Sequence, residues 1–191
     1  AIEDVLIDGL DYKLKNGASY ITDRRSVTFS AQGGNSYASN GVRVIKFLLT
    51  GDHMLDPSTF RVMFDMCNDS TGDKELRTVG GPHSLFRRVR LLAGGQIIED
   101  IDDYNRTHEM FEILQSTGVR TNNDIEGFGI HYDMKRALGR KTALAATNKD
   151  NYRGIVAGDR RTVMFKPLLG ILNQEKYIPL RYCPLTLELE I

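Results

Sequence analysis

The stretch Ser84–Asp102, "SLFRRVRLLAGGQIIEDID", decides how the rest of the chain is read. Two apolar runs flank Gly94-Gly95. A glycine pair between alternating segments is a strong signal for a two-residue hairpin, because both central positions of its tight turn need positive φ. Strands over 85–93 and 96–101 are therefore expected to pair antiparallel. The sequence "DDYNRTHEMFEILQSTG" follows directly. Tyr104, Thr107, Met110 or Phe111, and Leu114 recur at helical spacing, with Asp102 or Asp103 placed to cap the start and Gly118 to stop the helix.

Working outward, the same period-two signature recurs. In "STFRVMFDMCN" (58–68), Phe60, Val62, Phe64 and Met66 share one side, and Arg61, Met63, Asp65 and Cys67 the other. Residues 42–49 and 24–31 read as further strands, separated by the turn-forming "QGGNSYASNG" (32–41). Residues 161–165 give a strand and 167–173 a short helix or turn. The end, "KYIPLRYCPLTLELEI" (176–191), gives one or two strands, with Leu185, Leu187, Leu189 and Ile191 facing one way and Thr186, Glu188 and Glu190 the other. Residues 1–22 read as an N-terminal arm. Residues 119–160, rich in Asn, Gly and charge, read as one long loop, with short helical pieces possible around Met134–Leu138. No strand–helix alternation of a parallel sheet is present. The expected class is all-β: an antiparallel sandwich with one helix and long loop insertions.

The 191 residues are enough for one large domain or two small ones, and for a core without covalent staples. Lys plus Arg total 25 and Asp plus Glu total 25, so the formal net charge is zero. Zero net charge argues against a general nucleic-acid or membrane-surface binder and suits a chain that associates. No apolar run approaches the roughly 20 residues needed to span a bilayer, and the N-terminal residues do not have the form of a signal peptide. The two cysteines, Cys67 and Cys183, read as small buried hydrophobes, with no CxxC or Cys/His cluster to indicate zinc.

Catalytic patterns are sparse. His53, His83, His108 and His131 form no HxxxH or HExxH spacing. His108-Glu109 is the nearest approach to an acid–base pair, but neighbours one apart on a helix do not face each other. Asp52, His53 and Asp56 lie in one turn without calcium-loop spacing. Glu99, Asp100, Asp102 and Asp103 are accounted for by favourable charge at a helix start. The glycines of "SAQGGNS" and "VGGPHS" fit no phosphate-binding pattern. "FRRVR" (86–90) and "DRR" (159–161) could face nucleic acid, but alternation and nearby acids favour ordinary solvated or interface charge. No catalytic, cofactor-binding or metal residue is assigned, no cofactor is expected, and the chain is not expected to be an enzyme.

Three blocks carry a resemblance: "DRRSVTFSAQGGNSYASNGVRVIKFLLTGDHMLDPSTFRVMFDM" (23–66), "LFRRVRLLAGGQIIEDIDDYNRTHEMF" (85–111) and "FKPLLGILNQEKYIPLRYCPLTLELEI" (165–191). They cover about two thirds of the chain. Their order and spacing resemble the major capsid proteins of double jelly-roll viruses: large DNA viruses of eukaryotes, virophages and related virus-like transposons. The resemblance implies an eight-stranded antiparallel jelly roll of two four-stranded sheets over 23–191. It also implies a second roll after Ile191 in a longer chain, and self-assembly into trimeric pseudo-hexagonal capsomers of an icosahedral virion. The partners implied are copies of the chain and other capsid proteins, with no specific nucleic acid and no transmembrane segment. The 119–160 loop would form an outward or inter-subunit surface, and the arm would reach a neighbour. Rival readings are a single jelly-roll vertex (penton) protein and a lectin-like module stacking sugars on Tyr37, Tyr132 and Tyr152. A cupin-type enzyme is a third, but it would need histidines and a carboxylate clustered on strands.

Overall fold

The computed structural model describes residues 23–38, 40–41, 43–72, 76, 78, 81–116 and 155–191. The N-terminal arm, most of the long loop, His131, Tyr132, Tyr152 and the helical pieces expected near Met134 lie outside them. Among the described residues the chain is mostly β, with antiparallel pairing throughout and one α-helix.

The strands are β1 (Ala31–Gln32), β2 (Val44–Leu49), β3 (Met54–Leu55), β4 (Val62–Cys67), β5 (Arg88–Ala93), β6 (Gln96–Ile101), β7 (Arg160–Phe165), β8 (Ile178–Pro179) and β9 (Leu185–Glu190). Helix α1 (Tyr104–Ile113) lies between β6 and β7. Five strands form one sheet in the order β1-β2-β9-β5-β6, while β3 pairs β8 and β4 pairs β7 as separate ribbons.

The β5–β6 hairpin forms as expected. Ala93 pairs Gln96 across Gly94 and Gly95, whose φ angles are 55° and 84°. A register shift at Leu91/Leu92 interrupts the ladder. Bulges of this kind re-aim side chains; here Glu99 is set opposite Leu91 and Ile97 opposite Leu92. The last strand is not an edge. β9 lies between β2 and β5, with Leu187 opposite Phe47 on one side and Leu91 on the other. Burial of this strand explains its Leu alternation: Leu185, Leu187 and Leu189 are at most 1% exposed.

The core face of the large sheet contributes Leu49, Val89, Leu91, Leu185, Leu187 and Leu189. These join Val62 and Phe165 of the β4–β7 ribbon in one cluster with Leu169, Leu172, Ile178 and Leu180. Edge-on Phe64–Phe86 and stacked Phe86–Phe165 contacts, both 5.5 Å between ring centroids, tie the layers. Such aromatic pairs add to the area they bury. Tyr104, fully buried at the start of α1, accepts a 2.8 Å hydrogen bond from Leu168 N and so fastens the helix to the segment after β7.

Several expectations change. The strand expected at 24–31 does not form over residues 24–30; only Ala31, with Gln32 beyond it, pairs Phe47 and Lys46. The strand expected from residue 85 begins only at Arg88, because Leu85 is taken up in the 3-10 turn Pro82–Leu85, whose first position suits the fixed φ of Pro82. The capping side-chain bond at α1 is not made: Asp103 is the N-cap but sits in the left-handed region at φ 49° with no side-chain cap hydrogen bond. The 167–173 turn appears as a 3-10 turn at Ile171–Asn173. The long loop rejoins the fold before β7, where buried Ile155 exchanges backbone hydrogen bonds with Leu76.

Candidate functional site

The most distinctive polar cluster lies where the 3-10 turn Pro82–Leu85 meets α1. Pro82 and Gly81 place His83 against the helix, and the ring is fully buried. His108 and Glu112 stand one turn apart on the inner face of α1, at 9% and 7% exposure. The two imidazoles stack at 3.9 Å between centroids and 20° between planes. Tyr104 and Phe165 wall the group on one side, with centroids 5.5 Å and 6.3 Å from that of His108.

One carboxylate oxygen, Glu112 Oε1, lies 3.7 Å from His83 Nδ1 and 3.8 Å from His108 Nδ1. On the far side of each ring an acceptor is placed. Glu109 Oε2 is 3.4 Å from His83 Nε2, and His108 Nε2 donates a 3.3 Å hydrogen bond to Lys166 O. Burial holds His108 below the ordinary imidazole pKa, opposed by the hydrogen bond to the Lys166 carbonyl. His83, His108 and Glu112 each offer a ligand atom, all within 4.8 Å of one another, the single such group among the described residues. The set can lock a helix against a turn.

Sequence reasoning placed His83 in a glycine-rich loop and paired His108 with Glu109, and did not join them. The available signal was His108-x-x-x-Glu112, the i,i+4 spacing that puts two side chains on one helix face. Nothing local connects either residue to His83, which is brought in by the chain reversal through β5 and β6.

The other residues singled out disperse. Asp56 accepts hydrogen bonds from Ser58 N and Oγ and caps the 3-10 turn Pro57–Thr59. The Ser58 hydroxyl holds its carboxyl below the usual range. Asp52 and His53 are exposed and join no ligand group with it. Glu99 accepts from the backbone N–H groups of Gly170 and Ile171, each at 2.8 Å. Asp100 takes a two-pronged hydrogen bond from Arg88, which lowers the Asp100 pKa and raises that of Arg88. Tyr37 spends its hydroxyl on Gln32 O and Gly34 O within its own turn. Cys67 is exposed at the end of β4, not buried, because it falls on the outer face of the β4–β7 ribbon opposite Arg160. Cys183 is half-buried, and both thiols are free.

The basic "FRRVR" stretch is largely internally paired. Lys46, Glu188, Arg90 and Asp100 form one transverse row across β2, β9, β5 and β6. The Glu188 oxygens meet Lys46 Nζ at 2.7 Å and Arg90 Nη2 at 2.8 Å. Alternating signs along this row hold neighbouring strands together.

A membrane-spanning helix is not found: no helix of the described residues is long and apolar enough to cross a bilayer. Comparison with known proteins finds no matching family model, no matching curated protein and no matching solved structure.

Proposed function

We propose that this chain is a structural subunit of an icosahedral viral capsid, built as a jelly roll and assembling with copies of itself into trimeric, pseudo-hexagonal capsomers. The observation that carries the reading is the nesting of strand pairs. β2 pairs β9, β3 pairs β8, β4 pairs β7, and β5 pairs β6 at the tip. That order is one long antiparallel ribbon folded at the Gly94-Gly95 turn. Pairing of β5 with β9 then brings the tip of the ribbon back beside its ends in one sheet, a folding back that supports the jelly-roll reading, although a regular roll would set the tip pair in the opposite sheet. The described strands number nine, in one five-stranded sheet and two ribbons, not eight in two equal sheets. The reading therefore rests on the nesting and on the three sequence blocks, with 23–191 as the first roll of a double-roll protein.

Surface composition supports association. Met110, Phe111, Ile113 and Leu114 of α1 and its end are 54–81% exposed, and Ile97 and Ile98 are exposed on edge strand β6. Apolar side chains gathered on a helix and a sheet edge favour coverage by a partner. An inter-subunit patch of standard size buries roughly 1,200–2,000 Å². Tyr37, a stacking candidate of the lectin-like alternative, is half-buried with its hydroxyl bonded within its own turn. Among the described residues the cupin alternative finds no strand-borne ligand set, as the histidine cluster sits on a helix and a 3-10 turn. Light scattering and negative-stain electron microscopy of the purified chain test the proposal. Trimers or lattice fragments are expected; a monomer persisting at high concentration refutes it.

A further inference from the structure

We propose that the outer face of α1 is a self-pairing surface, which packs antiparallel against the same face of a second copy of this chain. The first support is the direction in which the helix faces. A surface helix ordinarily turns its apolar stripe to the core and its polar residues to water. Here the buried residues of α1 are Tyr104, His108 and Glu112. The apolar ones point outward: Met110, Phe111, Ile113 and Leu114 are 54–81% exposed. Thr107, Met110, Phe111 and Leu114 hold the i, i+3, i+4, i+7 spacing by which a helix docks on a partner. Within the chain that stripe stays exposed beyond half-buried Thr107.

The second support is size. The four exposed side chains present roughly 500 Å² of apolar surface, toward the upper end of the largest patch on a typical monomer. Two copies face to face remove roughly 1,000 Å² from water, the least that a specific interface buries. A pair of this size is weak alone and suits a contact repeated many times in an assembly.

The third support is the fit of the stripe to itself, which singles out a second copy as the occupant. A two-fold contact takes the same residues from both sides. An axis passing between Met110 and Phe111 reverses one helix on the other. Thr107, the small member of the stripe, then lies level with Leu114 of the second copy. Met110 and Phe111 each meet their own counterpart beside the axis. Small against large lets the ridges interdigitate at the 8–10 Å separation of packed helices. Exposed Arg106 runs beside Ile113 of the second copy, its stem over apolar surface and its guanidinium in water. Glu109 and Glu112 are turned toward His83, so like charges do not oppose across the seam. A parallel pair would instead set Leu114 on Leu114 and Thr107 on Thr107, crowding one end and opening the other. The pairing rests on the self-association proposed above but not on its threefold form: trimers make the capsomer, and α1 pairs join one capsomer to the next.

The test uses the whole chain with Cys67→Ser and Cys183→Ser. Sedimentation equilibrium should show two-fold association at about 10–300 μM, as dimers or as pairs of trimers. Leu114→Lys should remove that step and leave any trimer intact. Its Tm should stay within about 2 °C of the parent, as the residue is 81% exposed. Cross-linking reads the register. Under mild oxidation, a mixture of Thr107→Cys and Leu114→Cys chains should form the mixed disulfide. Leu114→Cys alone should not link to itself, because its two copies stand about 10 Å apart along the paired helices, beyond the reach of a disulfide. No two-fold step, a step unchanged by Leu114→Lys, or self-linking of Leu114→Cys as strong as the mixed disulfide overturns the pairing. Dimers without trimers uphold the pairing and refute the threefold capsomer. Trimers whose further association ignores Leu114→Lys refute the pairing and leave the capsomer standing.

Discussion

Glu188 offers the sharpest test of how the large sheet is held. Its carboxylate is 8% exposed and is bracketed by Lys46 at 2.7 Å and Arg90 at 2.8 Å, with side chains 52% and 27% exposed. Glu188→Gln keeps the shape and removes the charge. Hydrogen bonds to charged groups contribute about 1.5–3 kcal/mol when sheltered, whereas exposed pairs contribute about 0–1 kcal/mol. Arg90 falls nearer the first case and Lys46 nearer the second, so the loss should be about 2 kcal/mol. For a chain of this length that lowers Tm by about 4–8 °C. Urea unfolding followed by tyrosine fluorescence and circular dichroism, with double-mutant cycles, apportions the effect. Arg90→Met with Glu188→Gln should couple by about 1–2 kcal/mol, and Lys46→Met with Glu188→Gln by less than about 1 kcal/mol. One molar salt should erode the Lys46 part first. A loss below about 0.5 kcal/mol, or no coupling to Arg90, would show that the row across the sheet contributes nothing to holding it together.

Tyr104→Phe leaves Leu168 N–H without its acceptor and should cost about 1–3 kcal/mol; wild-type stability in a denaturant titration would contradict the anchoring role. Glu99→Ala frees the amides of Gly170 and Ile171, and amide exchange at those two positions should speed up while β9 stays protected. Arg88 depresses the Asp100 pKa. Its stabilising contribution is therefore full above the ordinary carboxylate value, about 3.9, and is lost as pH falls through the lower folded value. Asp100→Asn should flatten that acid limb of the stability curve, and an unchanged acid limb would remove Asp100 from the account.

Local chemistry made much of the fold legible. Gly94-Gly95 specified a turn that other residues adopt only with strain, and the alternation of 62–67 and 185–191 specified which faces are buried. The period of 104–114 specified a helix, although the sense in which Asp103 starts it was not readable. An aspartate in the left-handed region is fixed by the path from β6 into α1, which no local pattern encodes. Exposure of Cys67 was likewise a matter of which face of the ribbon turned outward.

The amino-acid order by itself determined the hairpin, the helix and the longer strands at 44–49, 62–67, 160–165 and 185–190, because periodicity and turn chemistry act over a few residues. Tertiary structure alone decided that β9 closes between β2 and β5, that Glu188 is sheltered between two cations, and that His83 meets His108 and Glu112. These are meetings of residues far apart in the chain. They are selected by burial of the shared core, a property of the whole assembly of elements that no single segment carries.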